Sequence, residues 1–139
     1  MILDSRLEFA DGQTLTATGA STNVIDLEDV PRDIGPGRPV YVVVNVEDAS
    51  AGTGAITASI AVQTSVDEAF TAPVVLASVT IPDGSENKFF VLGFPYENLR
   101  FLRLNATISG TTPSLKFSAW LTDQEPVSWK AYKAPNQAV

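Results

Sequence analysis

The sequence contains no cysteine and no histidine, and these two absences exclude several kinds of chemistry. Without cysteine, neither a disulfide nor a thiolate metal site can form. Without histidine, the usual general base at neutral pH and the commonest metal ligand are both missing, so a Ser-His-Asp or Cys-His nucleophile cannot be assembled from this chain. We therefore predict that the protein is not an enzyme and uses no cofactor or metal.

Carboxylates are the main chemical groups left, and they occur as adjacent pairs at residues 28–29, 47–48 and 67–68. Neighbours in a strand point to opposite faces, so adjacent acids do not form the facing pair that glycoside hydrolysis requires. The Asp-x-Asp-x-Asp-Gly spacing of a calcium loop is also absent. We interpret these acids as solvated surface groups.

Long apolar runs are missing as well, and the stretches present fall far short of the roughly 20 residues that span a bilayer. An acid at position 4 with no apolar run after it is unlike a signal peptide. A net charge of −7 argues against nucleic-acid binding. We expect a soluble protein whose acids either give solubility or complement the charge of a partner.

Period-two alternation of apolar residues dominates what is present, and this period is typical of half-buried strands. Four strands follow from it, at residues 40–46, 56–63, 101–108 and 115–122. Weaker strand patterns occur at residues 15–18 and 22–27. Two more continuously apolar stretches, residues 73–81 and 88–92, predict strands buried on both faces.

About eight strands, separated by glycine- and proline-containing turns and accompanied by no helical spacing, predict an all-β jelly-roll β-sandwich of antiparallel strands. The length of 139 residues fits one domain. We assign residues 1–125 to the jelly-roll domain and residues 126–139 to a C-terminal extension. Both ends are expected to form extended arms, because neither shows a clear strand period.

Candidate functional residues are those of an interface. If Leu102 and Leu104 point inward, Phe101 and Arg103 lie on the outer face, and an aromatic beside an arginine is typical of an interface core. The alternative is that Arg103 covers its own sheet with its aliphatic stem. Trp120 has the outward phase of its own strand, which also favours a covered surface.

The C-terminal extension carries Trp129 and Tyr132, two aromatics in a segment that has two prolines and no strand period. They either pack on their own domain or anchor in a pocket of a neighbouring subunit. We expect the chain termini and the outward face of residues 99–108 to make the intermolecular contacts.

Several segments within residues 1–125 form a familiar series, namely Met1-Ile2-Leu3-Asp4-Ser5 with Leu7 and Phe9, Ser21-Thr22-Asn23-Val24-Ile25-Asp26-Leu27, Val62-Gln63-Thr64-Ser65 with Ala69-Phe70, Leu76-Ala77-Ser78, and Arg100-Phe101-Leu102-Arg103-Leu104 running to Ser109-Gly110-Thr111. In these segments the chain resembles a known family, the capsid cement (decoration) proteins of short-tailed bacteriophages. The segments match as strand and turn patterns in a given order, and none of them is a chemical site.

The resemblance implies a jelly-roll virion protein on the outer capsid surface, made in the host cytoplasm. It implies that the protein bridges neighbouring major capsid protein subunits and stabilises the shell against internal pressure. It also implies self-association, commonly as a dimer, with a trimer possible. The alternative function is a carbohydrate- or receptor-binding β-sandwich module in which Trp120, Trp129 or Tyr96 offers a stacking platform.

Overall fold

The computed structural model describes residues 4–28, 33–34, 36–37, 39–95 and 97–124. A short 3₁₀ turn, Ser5–Leu7, precedes nine strands, which are β1 (Glu8–Leu15), β2 (Gly19–Ala20), β3 (Ile25–Asp26), β4 (Tyr41–Ser50), β5 (Thr53–Ser65), β6 (Val74–Ile81), β7 (Lys88–Gly93), β8 (Phe101–Thr111) and β9 (Ser114–Thr122). Within these ranges no helix has the length and apolar character needed to span a bilayer.

The strands form two antiparallel sheets, one in the order β1-β9-β4-β7 and the other in the order β2-β8-β5-β6, with β3 also paired to β8. The short strands β2 and β3 lie on the same side of β8 and act as one interrupted strand. Counted in this way, the first strand pairs with the last, the second with the seventh, the third with the sixth and the fourth with the fifth. This nested pairing is the topology of a jelly roll, and it confirms the predicted fold class.

The core lies between the two sheets, and the alternation seen in the sequence decides which side chains enter it. Every second residue of the four strongly patterned strands is part of the buried cluster, from Val42 in β4 to Leu121 in β9. Phe9 and Phe117 are the largest side chains that are fully buried there. The predicted phases of these four strands are therefore correct.

The predicted N-terminal arm is wrong, because residues 8–15 form the edge strand β1 along β9. Two register shifts interrupt this pairing, one between Glu8 and Ala10 and one between Ala10 and Gln13. Each shift breaks the alternation of apolar and polar residues, so the strand has no regular period in the sequence. The strand predicted at residues 15–18 is also misplaced, because β1 ends at Leu15 and the next strand, β2, begins at Gly19.

The two strands predicted to be buried on both faces, β6 and β7, are instead the edge strands on one side of the sandwich. Val74 and Val75 of β6 are 52% and 55% exposed, and Phe89 and Val91 of β7 are 44% and 42% exposed. A continuous apolar run predicts burial only if both faces are covered within the chain, and here one face is not. The C-terminal extension, with Trp129 and Tyr132, lies outside the described residues, as does Tyr96.

Candidate interaction surface

The outer face of the four-stranded sheet carries an apolar row. Trp120 of β9 lies directly opposite Val43 of β4, and Val43 lies opposite Val91 of β7. Directly opposed residues share a face of the sheet, and the neighbours of Val43 and Trp120 in sequence point into the core. Val43 is fully buried and Trp120 is 6% exposed, whereas Val91 at the edge is open to solvent.

Phe89 extends this row by one aromatic ring. Its centroid lies 6.4 Å from that of Trp120, with the ring planes at 79°, which is the edge-to-face arrangement that aromatic pairs favour. Phe89 shares β7 and its outward phase with Val91. We call Val43, Phe89, Val91 and Trp120 the Trp120 patch. In this patch the buried indole supports an exposed phenyl ring from the side.

Exposed apolar side chains are concentrated in one segment of the chain. Seven large hydrophobic residues are exposed in the described part of the chain, and six of them fall between residues 66 and 99: Val66, Val74, Val75, Phe89, Val91 and Leu99. This segment contains β6, β7 and the loops at their outer ends. Because β6 and β7 end their respective sheets on the same side of the sandwich, Val74 and Val75 lie on one edge strand of that side and Phe89 and Val91 lie on the other.

Phe101 and Arg103 lie on the other outer face, that of the five-stranded sheet. Phe101 is only 8% exposed, and the guanidinium of Arg100 lies 4.7 Å from the centre of its ring. The guanidinium of Arg103 lies 4.2 Å from the ring centre of Phe70, and its Nε donates to the side chain of Gln63 at 2.9 Å. Both arginines thus cover aromatic rings of their own domain.

The carboxylates of this region are engaged in local hydrogen bonds. Asp26 accepts from Arg100 Nε at 2.7 Å and from Nη2 at 2.9 Å, and these bonds, together with the backbone N–H of Glu28, lower the pKa of Asp26 to about 2. Asp67 accepts from the hydroxyls of Ser65 and Thr71, which lowers its pKa. These bonds fasten β3 to the start of β8 and organise the β5–β6 loop.

The acid pair at residues 47–48 is also tied to neighbouring strands. Glu47 forms an ion pair of 3.0 Å with Lys116 and accepts from Ser118, and Asp48 accepts from Ser50. Among the described residues, no group of three or more acidic side chains is arranged to hold a metal ion.

The structure does not bring the predicted interface residues together. Phe101 and Arg103 lie on one outer face, whereas Trp120 lies on the other. Trp120 has the predicted outward phase, but its indole is buried and offers no open ring face for a sugar to stack on. The interface role of these three residues stays a prediction, as does that of Trp129 and Tyr132 outside the described ranges.

Sequence reasoning missed the exposed residues of β6 and β7. Two features of the sequence could have found them. One is the absence of charge from residue 69 to residue 82, and the other is the Phe89-Phe90 pair that follows. The run predicts a strand that is covered on both faces. It is in fact a strand with an open edge.

The fold and this surface define a jelly-roll β-sandwich protein with an apolar side. The model of the Bbp16 family matches residues 9–121, which is the whole sandwich except the first residue of β1 and the last residue of β9. The chain therefore belongs to the Bbp16 family, a family of phage proteins.

The comparisons with curated proteins and with solved structures gave weaker matches or none. No curated protein matches the chain. The crystal structure of PirA is similar with a TM-score of 0.48 and 11% identity, covering 81% of this chain and 86% of PirA. The crystal structure of dimeric latent PorU from Porphyromonas gingivalis is similar with a TM-score of 0.46 and 18% identity, covering 80% of this chain and 10% of PorU.

Proposed function

We propose that this protein is a capsid cement protein. It binds the outer surface of a phage capsid, bridges neighbouring major capsid protein subunits and stabilises the shell against internal pressure. It acts as a homo-oligomer, a dimer in the simplest case. Membership of a phage protein family and the resemblance to cement proteins both support this function.

The observation that carries the proposal is the pair of exposed apolar side chains, Phe89 and Val91, that lie next to each other on the outer face of β7. Scattered surface hydrophobics are normal in soluble proteins, whereas a contiguous group marks a surface that binds another protein. In a chain with a net charge of −7, such a group is an uncharged contact area within an acidic surface.

The Trp120 patch is the part of this surface best suited to a capsid. Phe89 and Val91 project from a regular strand and are therefore held in fixed positions, and Trp120 supports Phe89 from the side. Rigid aromatic side chains at the centre of a contact contribute most of the binding energy in many interfaces. A shell presents many copies of its subunit, so a modest contact per copy is multiplied when a bridging protein engages two subunits at once.

The test is to mix the purified full chain with empty shells that lack it, and to measure bound copies per shell and the temperature at which shells disrupt. We expect binding to saturate and the disruption temperature to rise. Absence of saturable binding would overturn the proposal.

Two matched variants locate the contact. Val91→Lys places a charge in the Trp120 patch, whereas Val24→Lys places the same charge on an exposed valine outside residues 66–99. We expect Val91→Lys to weaken shell binding by about tenfold or more, because a lysine at a dry contact must be desolvated without a partner. Val24→Lys should bind like wild type. Equal binding by both variants would exclude the patch as the capsid contact.

The predicted role of Trp129 and Tyr132 is tested by deleting residues 126–139. If these aromatics anchor in a neighbouring subunit, the deletion weakens shell binding or self-association while the thermal unfolding of the domain is unchanged. Wild-type behaviour in both assays would remove the extension from the function.

A further inference from the structure

The sandwich has four sheet edges, and three of them carry features that oppose strand addition. The edge formed by β2 and β3 is made of two strands of two residues each. The β1 edge is broken by two register shifts and carries Glu8 and Asp11, and the short β7 edge carries Lys88. Short strands, bulges and charges are the devices by which proteins keep their edges from pairing with other chains.

The fourth edge, β6, largely lacks these devices. It runs for eight residues, Val74–Ile81, with no charged residue and no proline inside it. One register shift occurs opposite Val62 and Gln63, and the pairing from Ala77 to Ile81 is regular. Within the described residues β6 pairs only with β5, so its other side presents unused backbone donors and acceptors. An open, uncharged edge of this length is a site for strand addition.

Charge indicates which strand would occupy this edge. Two copies of a chain with a net charge of −7 repel each other unless they meet through uncharged surface. Across a two-fold axis a strand faces itself, so any charge on it would lie close to its like. A strand that pairs with a different protein has no such restriction and gains specificity from charge. The absence of charge over residues 69–82 therefore fits a second copy of the same strand best.

The outer face beside β6 is compatible with this arrangement. Ser78 and Thr80 of β6 lie opposite Ala61 and Ser59 of β5, and these positions carry small, uncharged side chains. At these four positions no bulky or charged side chain obstructs an approaching strand. The half-exposed Val74 and Val75 would gain cover from the partner strand.

We propose that β6 of one copy pairs antiparallel with β6 of a second copy about a two-fold axis, so that two five-stranded sheets become one continuous sheet. This inference rests on the self-association included in the proposed function, and it names the surface responsible. It leaves the Trp120 patch, which is on the outer face of the other sheet, free to contact a capsid.

The first test compares two double variants by sedimentation equilibrium over a wide range of protein concentration. Ser78→Lys with Thr80→Lys places two lysines on the β6 edge. Thr107→Lys with Ser109→Lys places the same two changes on β8, two strands away on the same face, where all four positions are exposed. Both variants change the net charge equally, and circular dichroism and thermal unfolding report whether each is folded.

We expect wild type to form dimers, the β6 variant to dimerise about tenfold or more weakly, and the β8 variant to behave like wild type. Equal dimerisation of the two variants, or equal loss in both, would overturn the β6 assignment while leaving self-association in place. A wild-type chain that stays monomeric at every concentration would overturn both the β6 assignment and self-association. Shell binding is measured separately, so its success or failure is distinguishable from either outcome.

The second test uses single cysteines, which are unique probes because the chain has none of its own. Paired antiparallel strands place opposed Cα atoms about 4.5–5.5 Å apart, within the range that a disulfide spans. A residue opposes its own copy only where the two-fold axis passes, so single-cysteine variants at each position from Val74 to Ile81 sample the edge, and Thr107→Cys is the control. We expect at least one edge variant to give a covalent dimer on oxidation and the control to give none. Failure of every edge variant to cross-link would overturn the proposal.

Discussion

Asp26 and Arg100 form a two-pronged ion pair across the junction of β3 and β8, with N–O distances of 2.7 and 2.9 Å. Asp26 lies at the end of the two-residue strand β3, which has few backbone hydrogen bonds of its own. The ion pair therefore adds a side-chain connection to a weakly paired strand. It is exposed, so its contribution to stability is small and depends on salt.

A dependence of stability on pH follows from this pair. The pKa of Asp26 is lowered from 3.8 to about 2, so the carboxylate stabilises the folded state at pH values above about 4. This stabilisation is lost as the pH falls from about 4 to about 2, because the unfolded chain takes up the proton first. We expect Asp26→Asn to reduce the fall in the free energy of unfolding over this interval, as measured by urea denaturation.

Arg100→Gln is the control for this prediction. It keeps Asp26 but removes the charged donor, so the pKa of the Asp26 carboxyl, followed by NMR, should rise towards its ordinary value. An Asp26 carboxyl that already titrates near pH 4 in wild type would contradict the assignment.

Two phenylalanines in the same sheet are expected to differ in their effect on stability. Phe117 is fully buried between the sheets, and Phe117→Ala should lower the free energy of unfolding by about 3–5 kcal/mol. Phe89 is half-exposed, and Phe89→Ala should lower it by only about 1 kcal/mol. Denaturant unfolding of both variants measures the difference. Similar losses would show that the Trp120 patch is part of the folding core.

Two glycines should respond to alanine with opposite signs. Gly110 in β8 has a φ of +140°, and an added Cβ would lie 3.4 Å from the carbonyl oxygen of Ala55. Gly110→Ala should therefore destabilise the protein by about 1–3 kcal/mol. Gly93, at the end of β7, has no such φ and open space around it, so Gly93→Ala should stabilise by about 0.4–1 kcal/mol. Thermal and denaturant unfolding test both, and a loss of stability in each would contradict this interpretation of Gly93.

Arg103 is expected to hold the β5–β6 loop in place. Its guanidinium covers Phe70, which has a φ of 52° and is buried. Arg103→Ala removes this cover, so hydrogen exchange of the amides at residues 66–70 should increase and the free energy of unfolding should fall by about 1 kcal/mol. Arg103→Lys should have a smaller effect. Unchanged exchange in the alanine variant would show that the loop is held by Asp67 and its hydrogen bonds alone.

The sequence was sufficient to predict the fold class and the interior of the sandwich, because the alternation in β4, β5, β8 and β9 fixes which face of each strand is buried. These are the central strands of the two sheets, where both edges are paired and the pattern is regular. The irregular strand β1 was not predicted, since its register shifts interrupt the period. The interrupted pair β2 and β3 was located only approximately, because two residues are too few to show a period.

The exposed surface was harder to predict, for a physical reason visible in β6. An uncharged apolar strand has the same sequence whether it is covered by its own chain or left for another chain. Only the strand order shows that β6 lies at an edge. Conversely, Phe101 and Trp120 have the outward phase that the sequence indicates, yet both are buried, and the guanidinium of Arg100 lies over the ring of Phe101. The alternation of apolar and polar residues along a strand predicts the face of the sheet on which a residue lies. It does not predict whether other side chains cover that face.

The strand order also has a consequence for how the protein is made. Two of the four central strands, β8 and β9, come after all the others in sequence, and β9 separates β1 from β4. On the ribosome, β1, β2 and β3 emerge long before β8 and β9, the strands with which they pair, so neither sheet can close during most of translation. Such long-range pairing makes folding slow and leaves apolar strands open for longer, so we expect the nascent chain to need chaperones.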